Sequence, residues 1–314
     1  MSVRVTPETF IRAETDRYFA ISTTLNGGVN RLFHYRRLVP LDQQSVVRMN
    51  RDTLYSVGIV DTDGGAVIRV PAMPDDRYAS VYLADNDHYV PEIIYDAGEH
   101  PLPQDTRYLA VGVRIQIFDP QDEDEVQLVN RLQDQFVIKA SSAEPFRPPD
   151  WDQDSLNALR RQYEAEFSRF DRYPDGWQGR RGEVDESTRH LAAAGAWGLF
   201  PNRDAVYINY NPGLPESGCY EATYAVPEND AFWSITVYGD DGYMKSDNNI
   251  LNAANVVLDG DGRFTARFGS LDTCGETPNR LDISPGWNFL MRVYRPGPSV
   301  LDGSYTLPNV RPSA

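Results

Sequence analysis

The 314 residues include 46 acidic and 30 basic side chains, for a formal charge of −16, with 41% hydrophobic and 11% aromatic content. That is the composition of a folded globular chain of about two domains, and the acidic excess excludes a phosphate-backbone binder, which concentrates Lys and Arg. No stretch approaches the roughly 18 apolar residues of a membrane helix, and the charged N-terminus lacks an apolar secretory core, so a soluble cytoplasmic protein without nucleic-acid or membrane partners is expected.

Near the N-terminus, Thr6-Pro7 reads as a helix start, and Phe10, Glu14, Tyr18, Ile21 and Leu25 recur at helical spacing until Gly27-Gly28 stops the run. A β region follows. Tyr78, Ser80 and Tyr82 alternate with Ala79, Val81 and Leu83, the period-two signature of a strand. A helical connector comes next, with one apolar stripe of Val126, Val129, Leu132 and Phe136 and a second of Leu156, Leu159, Tyr163, Phe167 and Phe170, capped by Asp154 or Ser155. Ser187 to Trp197 predicts a third helix. Beyond it the pattern is β again, with Trp233, Ile235 and Val237 on the core face of one strand and Asp-Gly turn signals at 239–242 and 259–262.

The two β regions share ordered blocks. NRDTLYS at Asn50 matches NRDAVYI at Asn202, Tyr78 falls on Phe232, His88 on Gly242, and VRIQIFDP aligns with FLMRVYRP so that Phe118 meets Tyr294. The expected fold is therefore mainly β with a helical segment. It consists of two diverged jelly-roll-like β-sandwich units from an internal duplication, joined by an α-helical connector, with boundaries at 1–121, 122–198 and 199–314. The retained Asn-Arg-Asp triplets read as scaffold, because Asp52 and Asp204 can hold backbone amides. Cys219 and Cys274 are too few for a disulfide framework or a structural zinc site; a reduced pair is expected, and one loop-to-loop disulfide is the alternative.

The stretches HYRRLVPLDQQSVVRMNRDTLYS, GGAVIRVP and DHYVPEIIYD resemble the N-terminal half of a bacterial two-part family that pairs the domains of unknown function numbered 1254 and 1214. AFWSITVYGDDGYM, NRLDISPGWNFLMRVYRP and LDGSYTLP resemble its second half. The resemblance implies two jelly-roll-like domains with a helical segment, often exported, and it supplies no mechanism.

No GxSxG elbow, P-loop or HExxH is present. The densest polar cluster is DNDHY, Asp85 to Tyr89, at a strand end. His88 there can serve as a general base with Asp85 or Asp87 as partner and Tyr89 alongside. Asp85, Asp87 and His88 can instead hold a divalent cation, or the Asp side chains can bond turn amides. Arg48 would anchor an anionic substrate, with His34 and Tyr55 beside it, while Trp233, Tyr238 and Arg292 offer further substrate contacts in the second unit. Parity sets Arg292 opposite Met291 and Val293, away from the core. The leading expectation is a small-molecule enzyme, hydrolase or lyase, acting on a small anionic or polyhydroxylated substrate. The alternative is a non-catalytic protein that binds a carbohydrate or organic acid. Cofactor, reaction and oligomeric state, including a homo-oligomer, stay open.

Overall fold

The computed structural model describes residues 2–44, 47–74, 76–170 and 172–313. Among them the chain is mainly β, with sixteen strands in four sheets and six α-helices. It divides into two compact units. The first comprises Met1–Arg37, Leu54–Phe170 and Pro174–Pro201, and the second comprises Leu38–Thr53, Asp171–Tyr173 and Asn202–Ala314.

In the first unit α1 (Phe10–Asn26) ends where Gly27 turns left-handed, as the Gly-Gly signal requires. The strands are β1 (Phe33–His34), β2 (Thr53–Asp61), β3 (Ala66–Val70), β4 (Ala79–Asp85), β5 (Ile93–Ile94), β6 (Gly98–Pro101) and β7 (Tyr108–Gln116). Then come α2 (Glu123–Gln133), β8 (Val137–Ala140), α3 (Gln153–Phe167) and α4 (Arg189–Gly195). Both connector helices open on an Asp whose side chain accepts a first-turn amide. For α3 this is Asp152, two residues before the nearer of the expected caps. The helices α2, α3 and α4 belong to this unit and do not form a separate body: Glu14 of α1 is fully buried against Arg160 of α3.

The second unit holds β9 (Ala205–Tyr210), β10 (Tyr220–Ala225), β11 (Trp233–Tyr238), β12 (Ile250–Asn252), β13 (Arg263–Phe268), α5 (Leu271–Cys274), β14 (Arg280–Leu281), β15 (Asn288–Tyr294), α6 (Pro298–Leu301) and β16 (Arg311–Pro312). Its core lies between two sheets. Trp233 stacks on Phe264 at 4.4 Å and Phe268 on Phe289 at 5.4 Å, with Ile235, Val237, Met291 and Val293 filling the same layer. Each of these comes from one parity of its strand, so the alternation read from the sequence is what builds the core. Cys219 and Cys274 form a disulfide, where a reduced pair was expected. It ties the α5 loop to the start of β10.

The strand orders of the two units correspond. The main sheets run β1-β2-β7-β4-β5 and β9-β15-β11-β12, and the second sheets run β6-β3-β8 and β14-β13-β10-β16. In each unit the first long strand pairs with the last long one, that one with an intervening strand, and the intervening strand with a short edge strand. Registers agree too, since Ser80 faces Arg114 as Ser234 faces Arg292. The amide of Gln116 donates to Tyr78 as that of Tyr294 donates to Phe232. Gln116, not Phe118, thus stands at the Tyr294 position. The position lies two residues from the one the sequence blocks imply, a shift that period-two patterning cannot detect because it preserves the face.

Candidate functional site

The DNDHY segment closes a tight turn after β4. The Asp85 carboxylate accepts the amides of Asp87 and Tyr89, both at 2.9 Å. Burial pushes its pKa up against those bonds. Asp87 is held by Arg12 and Arg181, which outweigh its burial and keep its carboxyl below the usual range. Tyr89 donates to Glu186 at 2.5 Å, and its ring lies between the guanidinium groups of Arg181 and Arg189, at 4.0 and 4.1 Å.

His88 is 3% exposed, stacks on Trp197 at 5.2 Å and accepts the Gly198 amide on Nε2. Burial, helped by the Arg189 charge, lowers its pKa to about 3. Its backbone sits at φ +62, the left-handed position that Gly242 takes at φ +78 in the corresponding turn of the second unit. Both residues donate to a carbonyl three positions back, Asp85 and Gly239. Histidine tolerates this conformation better than most side chains. The placement makes His88 a sealed, neutral packing residue, and a general-base role draws no support from it. Among the described residues no group of three or more His, Cys, Asp or Glu side chains is arranged to hold a metal ion. Asp85 and Asp87 are instead committed to backbone amides and arginines.

His34 is half-buried and bonds Ser56 Oγ through Nδ1 at 2.7 Å; burial and the Arg36 charge lower its pKa. Tyr55, also half-buried, lies under Arg114, whose guanidinium is 5.3 Å from the ring. Trp233 belongs to the core of the second unit. It stands five positions from Tyr238 on one strand, so period two turns the two rings to opposite faces.

The structure does bring together Arg48, Tyr238 and Arg292. The segment Leu38–Thr53 lies in the second unit, on the face of the main sheet opposite the aromatic core. Gln44 clamps Met244 through both backbone groups, and the Arg48 amide donates to Gly242. Asn50 donates to the Tyr294 hydroxyl at 2.6 Å and turns its oxygen onto the Asp52 and Thr53 amides. Asp52 is fully buried and accepts Ser234 Oγ at 2.6 Å and Asn252 Nδ2 at 3.0 Å. Burial raises its pKa, against those bonds and the Arg292 charge. The Asn50-Arg51-Asp52 triplet, expected to serve the first β unit, is therefore wired into the second.

Arg292 is 3% exposed and spends its donors on neutral acceptors: Thr236 Oγ1, the Tyr238 hydroxyl and the Arg48 carbonyl. Burial works against its charge, but the phenols of Tyr238 and Tyr294 and the Asp52 carboxylate outweigh that and raise its pKa. Arg48 and Arg292 flank the Tyr238 ring at 5.5 and 5.9 Å. Arg48 is half-buried; its Nη1 is sealed from solvent without a hydrogen-bond partner, and it makes no ion pair among the described residues. Its backbone is left-handed, φ +53. Tyr173 adds a further buried phenol, bonded to Asn209 and within the fields of both arginines. Ser234, Thr236 and Asn252 escaped the sequence reading. Their parity with Arg292 across β11, β12 and β15 was the available signal.

Residues 29–92 match the family described as a protein of unknown function, DUF1254, and residues 214–298 match the protein of unknown function DUF1214. The chain thus carries both halves of the two-part pairing, in the order the sequence resemblance implies. A comparison with curated proteins finds no significant match. Among solved structures, the chain is similar to the VPA0106 protein from Vibrio parahaemolyticus, at 16% identity and TM-score 0.73 over 97% of each chain. It is also similar to a putative uncharacterized protein from Burkholderia cenocepacia, at 14% identity and TM-score 0.56 over 98% of this chain and 87% of that one. At these identities the likeness concerns the fold alone.

Proposed function

We propose that the protein binds a small polar molecule without transforming it, at the face of the second unit where Arg48 and Arg292 converge on Tyr238. The observation that carries this reading is Arg48: a guanidinium with a sealed, unpartnered nitrogen beside a buried aromatic ring, on a strained backbone. Most buried donors in folded proteins are satisfied, so an orphaned guanidinium nitrogen beside an aromatic ring supports a place for an external acceptor. Left-handed backbone at a non-glycine residue is retained where its surroundings enforce it, often at ligand sites. A catalytic role for His88 would require the Trp197 ring to leave it.

A thermal-shift screen of the intact chain against small polar metabolites, with hits located by crystallography, tests the proposal. Ligand density against Arg48 and Tyr238 is expected. Hits that bind elsewhere, or turnover of a hit, would overturn it. We also infer that the two units are diverged copies of one jelly-roll-like sandwich, supported by the shared strand orders, the paired Ser–Arg registers and the matching His88 and Gly242 turns. The disulfide favours an oxidising compartment over the cytoplasm. Among the described residues no helix is long and apolar enough to cross a membrane.

A further inference from the structure

We infer, building on the binding reading above, that the ligand is a small monocarboxylate. Arg292 and Asp52 are both buried and influence one another through space, with no direct ion pair between them. Arg292 thus has a carboxyl group of its own, Asp52, within its field. The neighbouring cations are also neutralised, Arg51 by Asp247 at 3.1 Å and Lys245 by Asp241 at 2.5 Å. Arg48 is left as the one cation of this face without an opposite charge among the described residues.

One negative charge therefore completes the site. A carboxylate suits the planar fork of a guanidinium and can take two parallel N–H bonds. A neutral sugar would leave the half-buried Arg48 without a counter-charge, and a dianion would bring in one surplus charge, each at a desolvation cost. The Tyr238 ring, 5.5 Å from the Arg48 guanidinium, adds an apolar neighbour with no further charge, which suits a compact organic acid whose remaining surface is apolar.

The test is isothermal titration of the full chain with acetate, lactate and benzoate, and separately with succinate, inorganic phosphate and sucrose. At least one monocarboxylate should bind one to one and at least tenfold more tightly than the other probes. Arg48→Gln should weaken it at least tenfold while keeping the wild-type circular dichroism spectrum, and Arg48→Lys, which keeps the charge and loses the fork, should fall between. Preference for succinate or phosphate overturns the monocarboxylate inference. Sucrose binding that is indifferent to Arg48→Gln also overturns it, yet leaves a small-molecule site standing. Failure of every probe, together with an empty metabolite screen, sinks both readings.

Discussion

Lowering the pH from 7.5 to 5 should destabilise the first unit through one imidazole. His88 is buried under Trp197 and its pKa falls from 6.5 to about 3 on folding. A base with a depressed folded pKa is protonated more readily in the unfolded chain. Its stabilising contribution is therefore complete above pH 6.5 and is lost as the pH falls from there toward 3. Linkage gives a loss of about 2 kcal/mol at pH 5, growing by about 1.4 kcal/mol for each further unit until the folded imidazole itself titrates. Carboxylates and the other histidines also contribute to the acid limb, so the comparison must be made against His88→Asn. Asparagine accepts the left-handed backbone and carries no titratable group. Urea unfolding of wild type and variant at pH 7.5, 6, 5 and 4.5 would isolate the difference. The variant should begin less stable, having lost the ring stack, and its deficit should narrow by about 2 kcal/mol between pH 7.5 and 5. Two curves that stay parallel over that range would refute the assignment of a buried, neutral His88.

Other perturbations have distinct outcomes. Asp52→Ala strands Ser234 and Asn252, both buried, and should cost about 2–4 kcal/mol by chemical denaturation; a melt matching wild type would refute the network. Reducing the Cys219–Cys274 bridge, which spans 55 positions, should lower stability by about 2–4 kcal/mol, seen as a lower melting temperature in dithiothreitol and in the Cys274→Ser variant. Tyr89→Phe removes the bond to the exposed Glu186 and retains the stack between two arginines. It should cost no more than about 1 kcal/mol, and a much larger loss in thermal melts would show that the hydroxyl does more than this contact. Raised ionic strength should weaken monocarboxylate binding only modestly, because the Arg48 Nη1 is shielded from solvent; a steep salt dependence in titration would place the ligand on the open surface.

Much of the fold was legible because period-two alternation is a local signal. Trp233, Ile235 and Val237 could be assigned to the core, and Arg292 to the opposite face, from parity alone. Parity also hid two things. It could not see the two-residue displacement that puts Gln116 at the Tyr294 position. It also argued against grouping Trp233 with Tyr238, a conflict that residue type alone had overridden. The candidate site was legible in its residue types, Arg48, Tyr238 and Arg292, but not in its assembly. No local pattern tells a strand-entry segment such as Leu38–Thr53 which sheet it will cover. His88 shows the reverse problem. An imidazole that follows two nearby carboxylates resembles catalytic chemistry in one dimension, and only a contact with a tryptophan far along the chain turns it into packing.

The placement of Leu38–Thr53 also bears on synthesis. Those residues leave the ribosome before most of the first unit, yet their partners Ser234, Tyr238, Asn252 and Arg292 are made far later. The segment must wait, exposed and unpaired, while the intervening sheets are translated at about 5–20 residues per second. A gene cut between the units would therefore give a C-terminal fragment with a bare polar sheet face, its serine, asparagine and arginine opening onto solvent. Such a fragment should recover its structure when a synthetic peptide spanning residues 38–53 is added in trans.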